Sequence, residues 1–409
     1  MILKIDKSQY KKDFNRPRIA LTIGTRPEAI KMAPVVRALR RRSQELETIV
    51  IATAQHRQML DQVLELFEIT PDIDLNVMQP QQTLSDLTCR VMSLMNDTLR
   101  ELSPDMLLVQ GDTTTVFGSA MAAFYNRIPV GHIEAGLRSY DIHNPFPEEI
   151  NRRLTTVLAK MHFAPTALSR DQLLQEGVCA DNILITGNTV VDALHYQLDR
   201  PFRLEKTPLE HIPMTNRRIL LVTSHRRESW GNDLQNICLA IKLLVERFSD
   251  LIVVYPVHMN PVVQKTAHEV LGNTERIFLT GPLDYHTFIH LMKRSYLILT
   301  DSGGVQEEAP TLRKPLLVLR KLTERPEAMQ AGMAKVVGAR PELIVQEAAH
   351  LLNDPVAYAS MIRGENPFGD GHAGERIVQY LLNMTCQEHA SSQSTRNIPF
   401  SPVPHAYSL

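Results

Sequence analysis

Carboxylates and an imidazole stand just past apolar runs at several points of this sequence, where a fold alone gives little reason to place them. Asp112 lies in Gln110-Gly-Asp-Thr-Thr-Thr115, directly after an apolar stretch. Glu134 sits between Ile133 and Ala135 in His132-Ile-Glu-Ala-Gly-Leu-Arg138, and Glu148 and Glu149 follow Pro147. His225 is flanked by arginines in Ser224-His-Arg-Arg-Glu228. Groups of these types move protons or orient groups that do, and His225 could equally contact a diphosphate. Each has an ordinary alternative. Asp112 could cap the helix after Thr113. Glu148 and Glu149 could be first-turn acids favoured by the helix dipole, and His225 a satisfied strand-end histidine.

A second set suits an anion. Asp301-Ser-Gly-Gly-Val-Gln-Glu-Glu-Ala-Pro-Thr-Leu-Arg-Lys-Pro315 separates the apolar runs 296–300 and 316–319. Glycines at a strand-to-helix turn let backbone approach a ligand, and a helix beginning near Val305 would offer unpaired N–H groups. Asp301 or Ser302 could simply be the N-cap, while Glu307 and Glu308 could take ribose hydroxyls. Arg26, in Gly24-Thr-Arg-Pro-Glu28, could pair with Glu28 or lie over a phosphate. Gln55-His-Arg-Gln58 and Pro256-Val-His-Met-Asn260 are further polar clusters of the same kind.

The elements that would carry these clusters alternate. Apolar runs at 18–23, 48–53, 106–109, 129–133 and 183–186 read as buried parallel strands with helical segments between them. Prolines 201, 208 and 213 mark a slackening between 199 and 217. The alternation then restarts with strands at 218–223, 251–255, 277–279 and 297–300. Two such arrays predict an α/β protein of two doubly wound domains facing across a cleft. In open parallel sheets ligands bind beyond the carboxyl ends of the strands, where the clusters fall.

The totals exclude other classes. A length of 409 residues with 44% hydrophobic composition suits two full cores, and a net charge of −1 argues against a nucleic-acid or membrane-surface partner. Four scattered cysteines form no metal pattern and suit a reducing compartment. With no apolar run of membrane-spanning length and no signal-peptide core, the expectation is a cytoplasmic protein. There is no GxGxxG, Walker loop or HExxH helix. Asp72-Ile-Asp74 looks like a metal-binding DxD but lies in a Pro-started segment, so it reads as surface. Neither metal nor cofactor is expected.

As a set, these residues are recognisable. Gly24-Thr-Arg-Pro-Glu-Ala-Ile-Lys-Met-Ala-Pro34, Gly111-Asp-Thr-Thr-Thr115, Glu134-Ala-Gly-Leu-Arg138, Pro147-Glu-Glu149, His225-Arg-Arg-Glu228, Asp301-Ser-Gly-Gly304 and Thr323-Glu-Arg-Pro-Glu327 resemble the bacterial non-hydrolysing UDP-N-acetylglucosamine 2-epimerases, in order, from about residue 18 to 383. The resemblance implies two Rossmann-like domains in the glycosyltransferase-B architecture. It divides the chain into a polar extension (1–16), an N-terminal domain (17–198), a UDP-binding domain (199–371), a helix returning to the first domain (372–386) and a disordered tail (387–409).

It also implies interconversion of UDP-GlcNAc and UDP-ManNAc through 2-acetamidoglucal and bound UDP, in a homodimer. Carried over by position, catalysis falls on Asp112, Glu134, Glu148 and His225. UDP falls to Arg26, Ser302, Gly303, Gly304, Glu308 and Arg325, with Phe288 near the uracil and Lys31 a further cleft cation. Gln55, His56 and Gln58 match part of a site where some relatives bind a second UDP-GlcNAc as activator, although Gln81 stands where some of them have arginine. A glycosyltransferase of the same fold would share the UDP cradle but need an acceptor groove. A hydrolysing epimerase would release ManNAc, and a UDP-sugar sensor need not keep Asp112, Glu134 and His225 together.

Overall fold

The computed structural model describes residues 16–53, 57–226, 230–321 and 323–395, with backbone alone for 57–59 and 385–395. The first array comprises β1 (Arg18–Ile23), α1 (Arg26–Arg41), β2 (Glu47–Ala52), α2 (Arg57–Leu66), β3 (Ile73–Asp74), α3 (Leu84–Leu102) and β4 (Met106–Gln110). It continues through α4 (Thr114–Tyr125), β5 (Val130–Ile133), α5 (Glu148–Leu158), β6 (Met161–Ala164), α6 (Ala167–Gln175), β7 (Ile183–Ile185) and α7 (Thr189–Leu198). Its strands are all parallel, in the order β3-β2-β1-β4-β5-β6-β7.

The second array runs β8 (Arg218–Thr223), α8 (Asn232–Arg247), β9 (Leu251–Pro256), α9 (Pro261–Leu271), β10 (Ile277–Thr280), α10 (Tyr285–Arg294) and β11 (Leu297–Thr300). After it come α11 (Gly303–Thr311), β12 (Leu316–Val318), α12 (Pro326–Gln330), β13 (Ala334–Val336), α13 (Pro341–Asn353), α14 (Pro355–Ile362) and α15 (Ala373–Thr395). The parallel order is β10-β9-β8-β11-β12-β13. The chain is thus the expected two-domain α/β fold. In each sheet the strand order reverses beside the first strand, at β1/β4 and at β8/β11, and such reversals open the crevice where doubly wound sheets take ligands.

Period-two burial explains how the sheets join. Ile19, Leu21 and Ile23 of β1 face one apolar cluster while Ala20 faces another, and Ile219 and Leu221 of β8 enter the same cluster as Ile19. That cluster is continuous across the two domains through α7, whose Val190, Val191 and Leu194 join Val305 and Ala309 of α11. Phe67 stacks on Tyr196 at 5.6 Å and meets Tyr285 of the second domain at 6.2 Å.

The chain crosses between the domains at both ends of α7. The segment 199–217 leaves from its end. The return loop meets its start, where Asn188 N donates to Phe368 O at 2.7 Å. The returning α15 then lies on α1 and α7. Ala373 N and Gly374 N donate to Asp192 at 3.2 and 2.8 Å, and Arg376 donates to Thr186 O at 2.9 Å. Gly374 lets this contact close tightly, since a Cβ there would come within 3.2 Å of the Pro34 carbonyl in α1.

Three short strands escaped the sequence reading. Asp72 is exposed and Asp74 partly so, as the surface reading expects, yet Ile73 and Asp74 form the edge strand β3, beside which the Asp72 amide donates to Val50 O at 2.8 Å and Val50 N to Asp72 Oδ2 at 2.7 Å. Strands β6 and β13 are too short for a periodic pattern. Helix α15 also runs to Thr395, past Asn383 where its apolar spacing fades.

Candidate active site

The floor of the first domain's half is set by Gly24 at the end of β1, where a Cβ would come within 2.5 Å of Thr115 Oγ1 and 2.7 Å of Thr53 Oγ1. Thr25 caps α1, and Glu28 reaches back to accept from Gly24 N at 2.6 Å. Burial pushes the Glu28 carboxyl up to about 7. Glu28 is thereby committed to the turn rather than to Arg26. Arg26, half-buried at the start of α1, instead has its charge near Glu308 and Tyr285 of the other domain.

After β4, Thr113 rather than Asp112 caps α4, accepting from Val116 N at 3.3 Å. The capping alternative for Asp112 therefore fails. Its carboxylate is held by Arg152 of α5 through Oδ2, while Asn151 Nδ2 donates to the Asp112 carbonyl at 3.0 Å. No partner is recorded for the other oxygen among the described residues, and the side chain is 26% exposed. Glu148 lies at the head of α5; burial, and then the charge of Asp112, raise its pKa. Its neighbour Glu149 is fully buried and accepts from the amides of Ser139 and Tyr140 at 2.9 and 3.3 Å. Glu149 thus shapes the loop ahead of α5, a role its sequence position did not reveal.

Glu134 follows β5 with φ +63°, a left-handed conformation unusual for a residue with a side chain. The strain aims its carboxylate inward. Oε1 accepts from Lys31 and from Asn188 Nδ2 (3.3 Å), and Oε2 from Gln110. Burial raises its pKa, with Lys31 opposing. Two residues on, Gly136 has φ +95°, and a Cβ there would lie 2.2 Å from the Ser169 carbonyl oxygen. Gly136→Ala should therefore destabilise the protein by roughly 2–5 kcal/mol, combining a left-handed penalty of about 1–2 kcal/mol with overpacking of about 1–3 kcal/mol. Urea denaturation checks this; a loss under about 1 kcal/mol would show that the turn relaxes freely.

The second domain supplies a helix N-terminus and a buried guanidinium. Ser302 is the N-cap of α11 but makes no side-chain capping bond, and the helix starts at Gly303, earlier than Val305. The first N–H groups of α11 thus take no bond from the Ser302 side chain. Asp301 is not the cap. It is fully buried and turns to β8, where Oδ2 accepts from Ser224 Oγ at 3.0 Å, His225 N at 2.9 Å and Arg226 N at 3.0 Å. It therefore builds the loop that presents His225, whose half-exposed ring stacks on His258 at 5.7 Å and has Nδ1 3.5 Å from Asp301 Oδ1.

Glu307 and Glu308 part company because consecutive helical side chains point about 100° apart. Glu308 accepts from Tyr285 OH at 2.9 Å, and burial pushes it up to about 7. Glu307, which could have faced a ribose, turns instead to Arg325 Nε (2.6 Å) and to Lys31 of the first domain (2.9 Å). The Arg325 guanidinium lies over Gly303, where a Cβ would come within 2.8 Å of Nη1.

Asp112, Glu134 and Glu148 thus gather at the first sheet's strand ends, and His225, Ser302, Gly303, Gly304, Glu308 and Arg325 at the second's, with Arg26 and Lys31 reaching across. Phe288, on α10 one turn from Tyr285, is half-buried against the shared apolar cluster. Gln55 and His56 lie outside the described residues, as does the side chain of Gln58. Arg152, Gln110, Asn188 and the inward role of Glu307 were not anticipated. Among the described residues no cluster of His, Cys, Asp and Glu could hold a metal, and no helix is long and apolar enough to cross a membrane.

Comparison with known proteins gives a consistent result. A family model described as UDP-N-acetylglucosamine 2-epimerase matches residues 37–382. The UDP-N-acetylglucosamine 2-epimerase of Escherichia coli K12 is 49% identical over 371 residues, covering 90% of this chain and 98% of its own. The Neisseria meningitidis UDP-GlcNAc 2-epimerase, solved bound to UDP-GlcNAc, superposes with a TM-score of 0.83 at 46% identity, over 90% of this chain and 100% of that one. The Methanocaldococcus jannaschii enzyme, solved with UDP-GlcNAc and UDP, does so with a TM-score of 0.75 at 34% identity, over 89% and 99%.

Proposed function

The chain belongs to the UDP-N-acetylglucosamine 2-epimerase family, and from that premise we propose that it interconverts UDP-GlcNAc and UDP-ManNAc without hydrolysis. The observation that carries this reading is the division of labour across the cleft. Carboxylates not consumed by capping stand on one side, and an uncapped helix N-terminus with Arg325 stands on the other.

The C2–H of the sugar is a poor acid, so its removal must assist departure of the leaving group. A carboxylate takes the C2 proton while the C1–O bond breaks toward UDP. The C–H electron pair becomes the C1=C2 bond of 2-acetamidoglucal, and UDP keeps the C–O pair. Protonation of C2 on the opposite face, with return of the UDP oxygen to C1, gives the epimer. Asp112 and Glu134 transfer protons, and Glu148 supports them or serves the opposite face. The N-terminus of α11, through Ser302, Gly303 and Gly304, holds the diphosphate with Arg325, Arg26 and His225. Glu308 takes the ribose, and Phe288 lies by the uracil. Retention of the glycal between half-reactions depends on a cleft closed to water.

Incubation with UDP-GlcNAc alone in heavy water tests this. The expected NMR result is UDP-ManNAc, deuterium at C2 of both epimers and little free UDP. Accumulation of free ManNAc would mean hydrolysis, and turnover with C2 still protonated would exclude proton exchange with solvent.

A further inference from the structure

Buried carboxylates are costly unless paired, and Glu307 is only 1% exposed. It is paired on both sides, and the two partners belong to different domains: Arg325 Nε at 2.6 Å in its own, Lys31 Nζ at 2.9 Å in the other. Lys31 in turn holds Glu134, and Arg325 rests on Gly303. An unbroken chain of alternating charge therefore runs from the glycine loop of the diphosphate site to a carboxylate of the opposite domain: Arg325, Glu307, Lys31, Glu134.

We propose that Glu307 is a positioning residue that couples occupancy of the diphosphate site to the proton-transfer strength of Glu134, acting through Lys31. The inference rests on the epimerase reading and extends it. A diphosphate at Gly303 draws on the Arg325 guanidinium and loosens its hold on Glu307. Glu307 then takes a larger share of Lys31, Lys31 neutralises Glu134 less, and Glu134 becomes the stronger base when a leaving group is in place. The groups facing Glu134 are Lys31 from α1, Gln110 from β4, Asn188 at the cap of α7, Glu307 from α11 and Arg325 ahead of α12. Of the charged ones, Lys31 and Arg325 favour its ionised form and Glu307 opposes it. The negative charge of Glu307 is a standing part of what keeps Glu134 basic.

The sign of the test follows. Removing the charge of Glu307 makes Glu134 ionise more readily, so a reaction that needs the Glu134 carboxylate keeps its rate to lower pH. For Glu307→Gln, C2 exchange is measured across pH as kcat/KM, which reports the free enzyme, and as kcat, which reports the complex. Both acid limbs should move to lower pH and lie closer together than in the unmodified protein, with plateau kcat down roughly 10- to 100-fold. A merely structural residue would lower the rate without moving the limbs. Limbs that stay in place, or keep their full separation, overturn the proposal. Should Glu307→Gln fail to fold, Lys31→Gln breaks the same chain one link on. It must move the limbs to higher pH, and limbs unmoved there overturn the coupling equally. Absence of any C2 exchange in the unmodified protein is a different failure, because it removes the epimerase reading itself.

Discussion

Asp112→Asn is expected to abolish deuterium exchange at C2, by roughly 10³-fold or more, while UDP still binds within about threefold of the unmodified protein. The substitution keeps size and shape. It also keeps an oxygen for Arg152, which pairs with Asp112 Oδ2, and it leaves the Asp112 carbonyl bonded to Asn151. What disappears is the charge and the ability to take a proton. Because Thr113, not Asp112, caps α4, the helix should hold and the melting temperature should change little. Exchange surviving within tenfold would remove Asp112 from the chemistry. Loss of UDP binding would make it a binding residue instead.

The second large effect is expected at a residue that needs touch no sugar. Asp301→Ala leaves Ser224 Oγ, His225 N and Arg226 N without the carboxylate that now accepts from all three. A buried donor left unsatisfied, as at Ser224, costs about 1–3 kcal/mol and the part-buried amides of His225 and Arg226 less, so a stability loss of about 2–4 kcal/mol is expected. The folded fraction should also lose roughly 100-fold in rate, because the loop that presents His225 is no longer fixed. Denaturant titration and the exchange assay read the two effects separately. A stable variant with near-normal exchange would show that the loop keeps its shape by other means.

These two residues show what was legible beforehand. Both stood out by type and position, since an acid directly after a buried strand is rarely accidental. Their tasks were not legible. The partners of Asp301 lie more than seventy positions earlier in the chain, just past a neighbouring strand, and no local pattern encodes that contact. Arg152 gave a faint hint, three and four residues after Glu149 and Glu148 on one helix, but Arg153 beside it was an equal candidate. The adjacent Glu307 and Glu308 pose the same difficulty: helix geometry says that they diverge, and only packing says which one meets Lys31. The fold was more open to reading. The central strands β1, β4, β8 and β11 are mostly apolar, whereas β3, β6 and β13 owe their state to neighbouring strands.

The two crossings of the chain make α7 something like the pin of a door. One crossing leaves at its end and the other meets its start at Asn188. They are thus separated by the length of a ten-residue helix, about 15 Å. A single connection would let the two lobes twist and slide as well as swing. Two attachments spaced along one rod leave rotation about that rod as the easy motion. Any rotation about that rod would return Glu307 to Lys31 along nearly the same arc, so a charge chain split between two bodies would re-form in register.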